Sequence, residues 1–145
     1  MKVFEISKVK KAIVAEITCV DNSNSLIAMS LSLGLFFAFS PVWGFQTLLA
    51  VSSALFFRLN KVLTLITVNI SSIPPLIPFI LVAGYQTGAL VLQGKFQKEI
   101  PNLMNVNTLG ENYLQFALGS LVFATLVGLV SYLVIFLTLG RYRKL

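Results

Sequence analysis

Three long stretches of this sequence, 22–57, 62–94 and 112–140, contain no Asp, Glu, Lys, Arg or His. Each exceeds the roughly 20 residues a helix needs to cross about 30 Å of hydrocarbon. A soluble bundle would instead spread charge along every helix to keep its outer faces wet. With 57% hydrophobic and 11% charged residues, almost no polar face is left for any helix to turn outward. The expectation is an all-α integral membrane protein, with one embedded domain at 22–140 between a leading segment 1–21 and a basic tail 141–145.

The charges that remain sit at the ends and at short connections. Lys2, Lys8, Lys10, Lys11, Arg58, Lys61, Lys95, Lys98, Arg141, Arg143 and Lys144 all lie outside the uncharged stretches. Although the net charge is +6, this distribution forms no basic face for nucleic acid and fits anionic membrane lipid instead. One cysteine, Cys19, and no histidine exclude a disulfide framework and a Cys/His metal site, and no cofactor is expected. The acids Glu5, Glu16, Asp21, Glu99 and Glu111 show no catalytic spacing and have no histidine base beside them, so the chain is not expected to be an enzyme.

Val3, Ile6, Val9, Ile13, Ile17 and Val20 recur at helical spacing among lysines. That pattern predicts an N-terminal amphipathic helix, lying at the interface or docked on the embedded core. After the N-cap residues at 21–25, a helix should start near Leu26 and stop at Phe39, because Ser40, Pro41 and Gly44 break the pattern before a second apolar run from Phe45 to Phe57. A leg of about 14 residues is roughly 21 Å long, too short to span. A re-entrant hairpin turning at Pro41 to Gly44 therefore fits. The second stretch repeats the plan, with a break at Ser71, Ser72, Ile73, Pro74, Pro75 and Pro78, and both stretches open after an asparagine, Asn24 or Asn60. Two proline-broken hairpins, re-entrant or short-spanning, are thus expected before one full transmembrane helix from Tyr113 to Leu139. Counting basic residues favours both hairpins entering and leaving on the cytoplasmic side.

Broken backbone cannot face lipid, so the two breaks should meet in the interior, as a binding site or as a structural feature alone. Candidate binding residues are Pro41, Gly44, Gln46, Asn69, Ser71, Pro74 and Pro75. No ionisable group lies among them, which argues against a proton-driven pump. Small residues at Ser30, Gly34 and Ala38, at Gly84 and Gly88, and at Ser120, Ala124 and Gly128 offer faces for packing the chain's own helices or a second copy in a homo-oligomer.

The run GLFFAFSPVWGFQ from Gly34, RLNK from Arg58, NISSIPPLIP from Asn69 and GYQTG from Gly84 resembles the bacterial domain of unknown function number 2062 over about residues 22–140. The resemblance implies a multi-pass protein of the bacterial inner membrane with no established activity. Some relatives carry this domain fused behind a glycosyltransferase or acyltransferase, which implies work near envelope lipids. Two functions stay open: binding or translocating a lipid or polar envelope precursor at the facing breaks, or serving as a non-catalytic anchor or accessory subunit for a lipid-modifying enzyme.

Overall fold

The structure is a computed structural model that describes residues 8, 10, 11, 14, 15, 23–42, 44–99, 105, 107, 110 and 112–142. Among them are five α-helices, α1 (Asn24–Phe39), α2 (Gln46–Phe56), α3 (Lys61–Val68), α4 (Leu76–Gln93) and α5 (Tyr113–Tyr142), with a 3-10 turn (Asn69–Ser72) between α3 and α4. No strand occurs among the described residues. By length and composition, α4 and α5 could each cross a membrane. The amphipathic pattern over 2–20 falls largely outside the described residues; Lys8, Lys10, Lys11, Val14 and Ala15 are helical and exposed.

Local chemistry sets the helix ends. The Ser23 hydroxyl caps α1 by accepting from the Leu26 amide at 3.2 Å. Asn24 therefore sits inside that helix, whereas Asn60 is a true cap, its Oδ1 accepting from the Val62 and Leu63 amides. The apparent repeat of an opening asparagine is thus two different roles. Ser40 and Ile73 are both extended, at ψ 147° and 118°, because a following proline excludes the helical region. Pro78 was expected in the second break but lies in the first turn of α4, where its missing N–H deprives the helix of nothing. That break therefore closes at Pro75.

The end of α2 is unusual. The Leu59 amide donates to the Ala54 carbonyl at 2.7 Å and the Arg58 amide to Leu55 at 3.2 Å, the paired bonds that close a helix through a left-handed residue, most often glycine. Here the left-handed residue is Arg58, at φ 55°. Its side chain costs about 1–2 kcal/mol in that conformation.

α5 organises the rest. It is about 45 Å long, and its two halves hold different helices. Ser25 meets Tyr132 at 3.3 Å, Gly128 faces Ser32 and Phe36, and Phe39 packs edge-on to Phe123. α1 therefore runs antiparallel along the C-terminal part of α5. α4 runs antiparallel along the N-terminal part, with Gly84 and Gly88 against Gln115, Gly119 and Ser120. A Cβ on Gly119 would stand 2.0 Å from the Gly84 carbonyl oxygen, so the two backbones touch. α1 and α4 are thus stacked roughly end to end along one mast.

α3 runs parallel to α1. The Asn60 amide donates to Ser30 Oγ at 2.9 Å, Thr64 Oγ1 donates to the Ser30 carbonyl at 3.0 Å, and Gly34 lies against Thr64 and Thr67. α2 returns antiparallel, packed on α1 and α3. The first pair of helices is therefore antiparallel, joined through the break at Pro41 to Gly44. The second is not: α3 and α4 share no packed face and run in the same sense. The 3-10 turn and Pro74–Pro75 displace the chain sideways without reversing it, so the expected second hairpin is a single interrupted rod.

The far end is closed by amides. Gly94, at φ 67°, turns the chain so that residues after it fold back along α4. Gln86 grips the Gln97 backbone by two bonds of 2.9 and 3.0 Å, Tyr85 donates to the Gln97 side chain, and Gln115 links Gln93 to the Tyr85 carbonyl. These side chains satisfy one another's donors and acceptors.

The α4–α5 crossing gives a sharp contrast. Gly119→Val should destabilise the protein by about 2 kcal/mol through forced separation of two backbones, read as a lowered Tm in mild detergent. Ser120→Ala should hold or raise the Tm, because the buried Ser120 hydroxyl has no hydrogen-bond partner to lose.

Candidate functional site

Parallel α1 and α3 end at the same level, so the two breaks lie side by side, opposite the stretch of α5 near Phe123. A cavity of about 180 Å³ opens there, lined by Ala38, Gln46, Ser71, Ile77 and Ile80. Gln46, the first residue of α2, donates through Nε2 to Ser71 Oγ at 2.9 Å, and the Ser71 hydroxyl donates in turn to the Val68 carbonyl at 3.0 Å. One hydrogen bond therefore joins the first break to the second.

The other end of the amide is unpaired. Gln46 Oε1 is buried and accepts from nothing. Such an orphaned acceptor costs about 1–3 kcal/mol, a cost removed if a donor enters the cavity. The space suits several water-sized groups, and the walls contributed by Ala38, Ile77 and Ile80 are apolar. No charged residue among the described residues lines it. The start of α2 has no side-chain cap, so the free amides of its first turn add a positive dipole end nearby. The arrangement can recognise a neutral or zwitterionic group carrying a hydroxyl or N–H donor.

The remaining sequence candidates are placed around this pair. Pro41 is half-buried, while Gly44, Pro74 and Pro75 are exposed and shape the breaks. Asn69 is exposed and its Nδ2 donates to the Leu65 carbonyl of its own helix at 2.7 Å, which ties it away from Gln46. Of the packing glycines, Gly34, Gly84 and Gly88 make backbone-close contacts, whereas Gly128 has ordinary spacing, with Phe36 Cβ 3.5 Å from where its own Cβ would stand. Sequence reasoning named Ala38 only as a packing residue and missed Ile77 and Ile80, apolar positions flanking Pro78. It also missed Gly119, which has no small residue four positions away on either side.

No curated protein and no solved structure matches this chain. One family of uncharacterised proteins conserved in bacteria does, its model matching residues 8–145. The chain belongs to that family, the bacterial domain of unknown function 2062.

Proposed function

We propose that this protein is a non-catalytic module of the bacterial cytoplasmic membrane that binds the polar part of a lipid or envelope precursor at half depth, in the cavity between its two helix breaks. The membrane reading is supported by large apolar side chains turned outward, among them Leu114 at 70%, Leu129 at 60% and Leu137 at 67% exposure. In the most apolar window of α5 only 6% is buried, the reverse of a soluble core helix. The exposed threonines Thr125 and Thr138 bond to the carbonyls of their own helix at 2.8 and 2.6 Å, which suits apolar surroundings.

In this reading α1 and α2 enter and leave on one side. α3 and α4 together make one interrupted crossing, and α5 returns. Lys95 and Lys98 then become the two basic residues on the far side, out of eleven in the chain. So strong an asymmetry favours Arg58, Lys61 and Arg141 on the cytoplasmic side. The interruption falls at half depth, where irregular backbone is tolerated only around a cavity or inside protein.

The observation that carries the proposal is the unpaired Gln46 carbonyl in that cavity. Gln46→Ala should lower retention of a bound lipid or precursor by about tenfold, with Tm nearly unchanged, in native mass spectrometry of protein purified gently from its own membranes. Asn69→Ala should retain it like the wild type. Equal retention by Gln46→Ala would sink the proposal, and a stoichiometric enzyme co-purifying with both variants would favour the anchor reading. The topology has its own check. In a Cys19→Ser background, an impermeant maleimide added to intact spheroplasts should label Asn105→Cys but reach Tyr142→Cys only after lysis.

A further inference from the structure

A second concavity, of about 280 Å³, lies between α1 and α5 and is unrelated to the helix breaks. Met29, Leu33 and Phe36 form one wall, Gly128 and Leu129 the other, and Phe57 and Leu59 roof one end. The groove is almost wholly apolar. Arg58 stands between the two roof residues, and Lys61 follows within one turn of chain. Both cations are exposed, and Glu99, the single acid among the described residues, belongs to the opposite end of the molecule. No carboxylate therefore satisfies Arg58 among the described residues.

Arg58 also occupies the left-handed position at which glycine is the favoured residue. A strained cation on the rim of an apolar groove is a reason to look for a ligand there. We propose that this groove holds one acyl chain of an anionic phospholipid from the cytoplasmic leaflet, with Arg58 hydrogen-bonded to the phosphate at the rim. Charge complementarity and groove chemistry choose this occupant: the groove runs from the level of Tyr132 and Arg58 toward the middle of α5, so a lipid whose phosphate sits at the rim sends its chain inward. A guanidinium binds a phosphate by two parallel hydrogen bonds, which an ammonium cannot do. The inference rests on the membrane reading above and is independent of the cavity at Gln46.

The test uses the full chain in nanodiscs of phosphatidylglycerol and phosphatidylcholine in equal parts, released into mild detergent and read by native mass spectrometry for retained lipid. Wild type is expected to keep one phosphatidylglycerol. Arg58→Gly, which relieves the left-handed strain, should raise the Tm by about 4 °C while lowering phosphatidylglycerol retention about tenfold. Gly128→Leu should fill the groove and expel the lipid without forcing backbones apart, since a Cβ there meets only ordinary contacts. Gln46→Ala should leave this lipid in place, which separates failure here from failure of the proposed function. Unchanged retention in Arg58→Gly, or loss accompanied by a lowered Tm, would overturn the proposal; so would retention in Gly128→Leu.

Discussion

In surroundings without water, every backbone N–H and C=O must find its partner inside the protein. Several features of this chain answer that requirement. Ser23 and Asn60 cap helix starts with their own side chains, and Arg58 closes α2 through two backbone bonds. Glutamines and a tyrosine close the far end on one another. Where prolines break the ladder at Pro41 and at Pro74–Pro75, the Gln46–Ser71 hydrogen bond joins the two breaks, although Gly44, Pro74 and Pro75 stay exposed.

The same requirement explains the role of α5. α1 is about 24 Å long and α4 about 27 Å, and stacked along one long helix they share its length. Gly84, Gly88 and Gly119 bring α4 into backbone contact with this mast, and Gly34 does the same for α3 on α1. Such contacts let the helix backbones approach closely enough for extensive van der Waals packing. Where α1 hands over to α4 the packing is imperfect. The imperfection is the cavity that contains an amide oxygen with no partner.

Two sites of tension thus stand apart in the molecule. Gln46 holds an unsatisfied acceptor in the cavity between the breaks, and Arg58 holds a left-handed backbone with no carboxylate partner among the described residues. Both could be relieved by single substitutions at little risk to the fold. Local conflicts of this kind collect where a protein does something other than fold.

Much of this was legible in the sequence. Uncharged stretches of sufficient length predicted an all-helical chain with a long final helix, and proline chemistry fixed the end of α1 at Phe39, because a residue before proline leaves the helical region whatever surrounds it. Gln46 and Ser71 could be named as polar residues beside the breaks. What the sequence could not determine was direction. Whether Pro74–Pro75 reverses the chain or only displaces it depends on what α4 finds to pack against, and Gly119, thirty-five residues after Gly84, decides that. The pairing of Gln46 with Ser71, the orphaned oxygen and the outward turn of Asn69 follow from that choice. Local rules act over a few residues and were readable; the meeting of the breaks is a property of helices brought together from distant parts of the chain, and only tertiary packing could settle it.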